Sequence, residues 1–215
     1  MKINIYYGGR GLLDDPTLYV INKMQEVLEE LNVSVERFNL HEQKNMITTL
    51  PHTLKEADGV VLATTVEWYG IGGYMQQFLD ACWLYGDKSK IAGTYMFPVV
   101  MSKAYGEKEV HLDLITAWEI LGGKSCNGIC AYVADETEFE LNTEYRDIIE
   151  KRAEEMYRTL KTIYEGGHKN GQTVFLDAAD SFYSNAEERT EQLKPDSMTR
   201  SFSSVKVAYL DQPSP

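Results

Sequence analysis

One segment of the chain, residues 58–80, joins a short apolar run to a glycine-rich loop and an amphipathic stretch. The run at residues 59–64 has the length and composition of a strand that a parallel sheet buries on both faces. The loop after it holds two adjacent aromatic residues, Trp68 and Tyr69. Apolar residues then recur at helical spacing, namely Met75, Phe78, Leu79 and Cys82. The segment predicts a strand, a loop and a helix, and open α/β sheets bind ligands on such loops. An ordinary βα turn with core aromatics is the alternative.

Four further apolar runs predict strands elsewhere in the chain. They lie at residues 2–7, 33–40, 94–101 and 125–133. Strands that alternate with helices favour a parallel sheet covered by helices on both faces. Five strands in this order predict an α/β fold, a flavodoxin-like three-layer sandwich whose five-stranded parallel sheet has the order 2-1-3-4-5.

The predicted helices lie between these strands. The first begins with Asp15 as N-cap and Pro16 at its first position. Others are predicted at residues 51–57, 108–121 and 145–165, with a loop at residues 41–50, and residues 83–89 are polar and contain a glycine. In the helix at 108–121 the residues expected to face inward are Leu112, Ile115, Trp118 and Leu121.

The chain continues beyond the predicted fold. We expect residues 1–167 to form the flavodoxin-like domain and residues 168–215 to form a C-terminal extension. The extension has apolar clusters at 174–176 and 205–210 and a capping box at 184–187, yet it is too small for a core of its own. It is therefore expected to dock on the fold or on a partner subunit, in a homodimer or a larger assembly.

Charge and composition exclude several classes of partner. A net charge of −12 disfavours nucleic acid and anionic membrane surfaces. No apolar run approaches the roughly 18 residues of a membrane helix, and the first residues resemble a strand rather than a signal peptide. Three cysteines, an odd number, fit a reducing compartment, so a cytoplasmic location is expected. Cys126 and Cys130 are expected on one face of the last strand, and the four scattered histidines predict no metal site.

The loop after the first predicted strand has the composition of a phosphate-binding turn. Glycines at positions 8, 9 and 11 allow close approach of an anion, and a helix N-terminus follows. Arg10 offers a planar fork to phosphate oxygens, and Thr17 offers a hydroxyl. Asp14 and Asp15 oppose this role, since two unit charges about 5 Å apart repel by about 3 kcal/mol. Either these side chains turn outward, with Arg10 compensating, or the loop does not hold phosphate.

Two more loops contain candidate ligand contacts. The loop after the third strand offers aromatic rings, and the loop after the fourth offers Lys103, for which a simple surface position is equally compatible. With Gly9, Arg10 and Thr17, the candidate cofactor-binding residues are Thr64, Thr65, Val66, Glu67, Trp68, Tyr69, Gly70, Ser102, Lys103, Tyr105 and Gly106.

The block at residues 64–76 resembles the aromatic loop of the NADPH-dependent FMN reductases and the iron–sulfur flavoproteins. The matching residues are Thr64, Trp68, Gly73, Phe78 and Asp80, and the departures are Thr65, Glu67 and Gln76. The loop after the first strand resembles that family's Gly-Ser-x-Arg…Thr pattern, with Gly9 in place of serine. The resemblance implies FMN bound by these loops, NAD(P)H as co-substrate, and a quinone or similar small molecule as electron acceptor. The cluster cysteines of the iron–sulfur branch are missing.

Two other functions remain open from the sequence. A flavin-free binding or assembly protein on the same fold is favoured by the paired aspartates and by the departures in the aromatic loop. An electron-carrier flavodoxin is disfavoured because the Thr-x-Thr-Gly-x-Thr phosphate loop is missing. No nucleophile elbow or catalytic triad is present, and a flavin oxidoreductase needs little acid–base machinery. No catalytic residue is therefore assigned.

Overall fold

A computed structural model describes residues 1–12, 14–134 and 137–167. The chain divides into two units, Met1–Thr162 and Ile163–Pro215. Of the second unit only the end of the last helix is described, so the expected extension at 168–215, with its capping box and apolar clusters, lies outside the described residues.

The strands form one parallel sheet. They are β1 (Lys2–Tyr7), β2 (Ser34–Asn39), β3 (Gly59–Thr65), β4 (Tyr95–Ser102), β5 (Lys124–Ser125) and β6 (Ile129–Tyr132). The order is β2-β1-β3-β4-β5, and β6 also pairs with β4. All these pairs are parallel. The predicted order 2-1-3-4-5 is confirmed.

Helices cover both faces of the sheet. They are α1 (Pro16–Glu30), a 3-10 helix (Lys44–Glu56), α2 (Gly73–Tyr85), α3 (Lys88–Ala92), α4 (Glu107–Ile120), α5 (Thr137–Leu141) and α6 (Thr143–Gly167). Side chains alternate between two cores, because successive residues of a strand point to opposite faces. Ile3 and Ile5 of β1 pack in the core with α1 and α6, whereas Tyr6 packs in the core with α2 and α4. In the part of the chain described, no helix is both long and apolar enough to cross a membrane.

Most of the predicted loop at residues 41–50 is helical instead. Residues 44–50 were predicted as a loop, yet they begin the 3-10 helix, because Ile47 and Leu50 are buried against the sheet at a spacing of one turn. The polar, glycine-containing stretch at residues 83–89 joins two helices, since α2 continues to Tyr85 and α3 begins at Lys88. Asp87 starts α3 by accepting hydrogen bonds from the backbone N–H groups of Ser89 and Lys90.

The buried face of α4 differs from the prediction at Leu112, and it includes Val110 and Leu114, which the prediction omitted. Val110, Leu114 and Trp118 are buried at a spacing of four residues, which fixes the inward face. Leu112 lies two residues from that stripe and is 61 % exposed, so its predicted inward position is wrong. Ile115 and Leu121 are partly buried against the same core.

The predicted strand at 125–133 is interrupted. Met96 pairs with Ser125 and Val99 pairs with Ile129, so three residues stand opposite two. A Cβ atom at Gly128 would lie 1.8 Å from the carbonyl oxygen of Pro98, so only glycine fits this close approach. Because of this extra residue, the side chains of Cys126 and Cys130 lie on opposite faces of the sheet. Cys126 packs toward the core of α1 and α6, whereas the thiol of Cys130 is near charged residues of α4, so the predicted shared face is wrong.

Candidate functional site

Three loops meet at the carboxyl edge of the sheet, following β1, β3 and β4. Two ion pairs join them. The Nε of Arg10 lies 2.9 Å from Oε1 of Glu67, which links the first loop to the second. The ammonium of Lys103 pairs with the carboxylate of Asp14, which links the third loop to the first. The structure therefore brings together the loops that carry the predicted cofactor-binding residues.

The loop after β3 is a tight turn that presents two aromatic rings to solvent. Thr64 donates its hydroxyl to the Ile71 carbonyl at 2.9 Å, and the backbones of Glu67 and Gly70 bond to each other at 2.9 and 3.2 Å. Between them Trp68 and Tyr69 have φ angles of 50° and 61°, a left-handed conformation that is uncommon for bulky residues. Strain of this kind concentrates at ligand-binding loops. The turn leaves Trp68 93 % exposed and Tyr69 71 % exposed.

The loop after β4 lies beside this turn. Gly106, at φ 97°, begins α4, and a Cβ atom there would lie 3.5 Å from the Tyr69 ring and 3.6 Å from Val66. Tyr105 is exposed and its ring stacks on that of Tyr132 at 6.0 Å. The exposed rings of the two loops form an apolar surface suited to a flat aromatic ligand. Tyr132 was not predicted as a site residue, because its position opposite Ser102 depends on the interrupted strand.

The most buried charge at this edge is the carboxylate of Asp15, which is 8 % exposed. Its Oδ1 accepts the Thr17 N–H at 2.8 Å and the Thr65 hydroxyl at 2.5 Å, and its Oδ2 accepts the Tyr7 hydroxyl. The hydroxyls of Thr17 and Thr65 lie 2.7 Å apart. Because the single proton of Thr65 is directed to Asp15, Thr17 is the donor to Thr65. Asp15 therefore joins β1, β3 and α1 at the switch point between the first and third strands.

Tyr7 supports the first loop from below and was not identified from the sequence. Its hydroxyl accepts the Gly11 N–H at 3.2 Å. A Cβ atom at Gly9 would lie 2.3 Å from that hydroxyl, so the tyrosine occupies the space of any side chain at position 9. Burial, and next the hydrogen bond to the Asp15 carboxylate, raise the pKa of Tyr7 far above its usual value. The phenol is a neutral donor at every physiological pH.

The start of α1 does not fit a phosphate group. An anion at a helix N-terminus binds the backbone N–H groups of the first turn. Here Pro16 has no N–H, Thr17 donates to the Asp15 side chain, and Leu18 donates to the Asp15 carbonyl at 3.0 Å. In one arrangement left open by the sequence, both aspartates turn outward and Arg10 compensates for their charge. In the structure Asp14 does turn outward, to Lys103, but Asp15 turns inward and Arg10 pairs with Glu67.

The predicted site residues fall into two groups. Those at the ring-bearing loops are Thr64, Val66, Glu67, Trp68, Tyr69, Gly70, Ser102, Lys103, Tyr105 and Gly106, with Arg10 paired to Glu67, and those at the Asp15–Tyr7 network are Gly9, Thr17 and Thr65. Within residues 1–12, 14–134 and 137–167, no three His, Cys, Asp or Glu side chains are placed to hold a metal ion.

Comparison with solved structures places this arrangement in a known fold. An FMN-dependent NADH-azoreductase from Bacillus anthracis in complex with FMN superimposes with a TM-score of 0.55 at 15% identity, covering 73% of this chain and 99% of that chain. A flavone reductase gives 0.63 at 13% identity, over 76% and 64% of the two chains. A short-chain flavodoxin associated with a bacterial microcompartment gives 0.51 at 18%, over 74% and 99%. At these identities the likeness shows the flavodoxin-like fold.

Family membership comes from the sequence as a whole. No curated protein matches the chain. The family model of the NADPH-dependent FMN reductases matches residues 16–138, more than half of the 215 residues. The match begins at the first residue of α1 and includes both ring-bearing loops. The chain therefore belongs to the NADPH-dependent FMN reductase family, oxidoreductases that use FMN and take their electrons from NAD(P)H.

Proposed function

We propose that the flavin ring binds on the surface formed by the loops after β3 and β4, and that the reduced protein passes electrons to a quinone or similar small acceptor. The observation that carries this proposal is the strained turn that holds Trp68 and Tyr69 outward beside Tyr105. A left-handed backbone at two bulky residues costs stability, and exposing two large rings offsets none of that cost in the free protein. A flat ligand that covers the two rings buries their apolar surface and so supplies the favourable free energy that offsets the strain.

The polar residues around this surface have separate parts in the proposal. A bound flavin supplies a centre that accepts a hydride and releases electrons. Glu67 is neutralised by Arg10 at the rim of the turn, which fixes the loop after β3 against the loop after β1. Lys103, 37 % exposed, pairs with Asp14, which fixes the loop after β4 against the loop after β1. The backbone of Val66 donates to the Met101 carbonyl at 2.8 Å, which keeps the two ring-bearing loops together.

Binding and electron transfer are tested on the full chain. Titration with FMN should quench flavin fluorescence, and rapid mixing of the loaded protein with NADH or NADPH should bleach the flavin. Added quinone should then restore the colour. No quenching at tens of micromolar protein would refute the proposal, and bleaching by dithionite alone would indicate an electron carrier instead.

The aromatic surface is tested by a matched pair of tryptophan variants. Trp68→Ala should weaken flavin binding about threefold to tenfold, the range expected for one aromatic contact. Trp83→Ala is the control, because Trp83 is also exposed, at 53 %, but lies on α2 under Lys88. Equal affinities for both variants and the wild type would place the ring elsewhere.

Assembly and location complete the proposal. We propose that residues 168–215 pack on this fold or on a neighbouring subunit of a homodimer or larger assembly, since their apolar clusters are a liability in water. A cytoplasmic location is proposed because the three cysteines are free thiols.

A further inference from the structure

In flavodoxin-like folds the ligand lies at the switch point between β1 and β3, and a phosphate there would meet the N-terminus of α1. In this chain the Asp15 carboxylate occupies that point, because its oxygens are bonded to Tyr7 of β1, Thr65 of β3 and the first turn of α1. Resting on the proposed flavin site, we infer that this protein recognises the flavin without its phosphate and binds riboflavin at least as tightly as FMN.

The donors at the start of α1 that a phosphate would meet are already in use. Pro16 provides no N–H, and the next two N–H groups of α1 are directed to Asp15. The hydroxyl of Thr65 donates to the carboxylate, and the hydroxyl of Thr17 donates to Thr65. Even the Gly11 N–H, in the turn before the helix, donates to Tyr7. A phosphate would have to displace this whole network to gain a contact with α1.

The charges of the site also oppose a phosphate. Arg10 and Lys103 are each paired with a carboxylate, on Glu67 and Asp14. Asp15 therefore remains as a carboxylate that has hydrogen-bond donors but no paired cation among the described residues of these loops, while Arg37 of β2 stands 5.8 Å from the ring of its partner Tyr7. A second negative group beside the Asp15 carboxylate is repelled, and the repulsion is stronger where water is largely excluded.

The same carboxylate suits a hydroxyl group. A carboxylate has about four acceptor positions, and Asp15 uses three of them, two on Oδ1 and one on Oδ2. The fourth can accept a hydroxyl proton, which the end of a ribityl chain has and an ionised phosphate lacks. The ligand class selected by this site is thus a flavin whose side chain ends in a hydroxyl.

The test compares two probes, FMN and riboflavin, by fluorescence quenching with the full-length protein at one ionic strength. The wild type should bind riboflavin as tightly as FMN or more tightly, within threefold. The near-isosteric Asp15→Asn removes the charge and should raise the affinity for FMN relative to riboflavin about tenfold. Asp87→Asn is the matched control, because Asp87 caps α3 in the same way and contacts none of the three loops. Its ratio of affinities should equal that of the wild type.

Three results would overturn the inference. FMN binding more than threefold tighter than riboflavin in the wild type would show that phosphate is recognised, while the proposed flavin site would stand. An unchanged ratio in Asp15→Asn, or the same change in Asp87→Asn, would remove Asp15 from the selection. If neither flavin binds, the proposed function fails together with the inference. The wild-type ratio decides the matter even if Asp15→Asn does not fold.

Discussion

Replacing Asp15 by alanine tests the network at the start of α1 through stability alone. The change removes the N-cap, which costs about 1 kcal/mol. It also leaves the hydroxyls of Tyr7 and Thr65 without the acceptor that both use in the folded protein. An unsatisfied hydroxyl at a buried site costs about 1 kcal/mol or more. We therefore expect the free energy of unfolding to fall by about 3 kcal/mol.

The measurement is thermal unfolding followed by circular dichroism, supported by urea titration. For a chain of this size each kcal/mol lowers the melting temperature by about 2–4 °C, so Asp15→Ala should melt about 6–12 °C below the wild type. Asp15→Asn keeps an oxygen for the Thr17 N–H and should lose about half as much. The neighbouring Asp14→Ala is the control, because Asp14 is exposed and touches only Lys103 among the contacts described. It should melt within about 2 °C of the wild type.

The reasoning is refuted if Asp15→Ala melts as the wild type does. In that case the carboxylate would not be bonded to Tyr7 and Thr65 in solution. Equal losses in the Asp14 and Asp15 variants would point to the charge of the loop rather than to the buried hydrogen bonds.

Three further outcomes are expected. Gly128→Ala should lower the free energy of unfolding by about 3 kcal/mol in urea titration, because its Cβ would collide with the Pro98 carbonyl. Gly73→Ala, with open space around it in α2, is the control and should raise the free energy of unfolding by a few tenths of a kcal/mol. Equal free energies for the two variants would contradict the interruption of the last strand. Burial raises the pKa of the Cys82 thiol from 9.0 to about 12, so the folded protein keeps a proton that the unfolded chain releases. The stability of the wild type should therefore fall as the pH rises above about 9. If the urea midpoints of the wild type and of Cys82→Ala differ by the same amount from pH 8 to pH 10, this expectation is wrong. Truncation after Gly167 should shift the mass measured by light scattering toward the monomer or cause aggregation, and an unchanged assembly would show that the extension is passive.

The fold was predictable because its signals are local. The apolar run at Gly59–Thr65 and the periodic residues of α1 each identify an element without knowledge of the rest of the chain. The interruption near Gly128 was not predictable, since it depends on Pro98, thirty positions earlier in the chain. The inward position predicted for Leu112 was wrong because α4 has several apolar residues and only one buried face.

The site shows the same division. The sequence identified Asp15 as an N-cap, and the bond to the Thr17 N–H confirms it. Its other partners, Tyr7 and Thr65, come from two different strands, and only the parallel pairing of those strands brings them to one carboxylate. The sequence already indicated that an Asp15 cap and a bound phosphate would compete for the same N–H groups. It did not indicate the direction in which the Asp15 side chain turns.

The contact between Gly9 and Tyr7 constrains how this loop can have diverged from its relatives. A side chain at position 9, such as the serine of the family pattern that this loop resembles, would require Tyr7 to move, because the tyrosine hydroxyl lies 2.3 Å from the added Cβ. Tyr7 in turn is held by Asp15. Positions 7, 9 and 15 should therefore vary together among homologues, and tyrosine, glycine and aspartate at these positions would define a subgroup of the family.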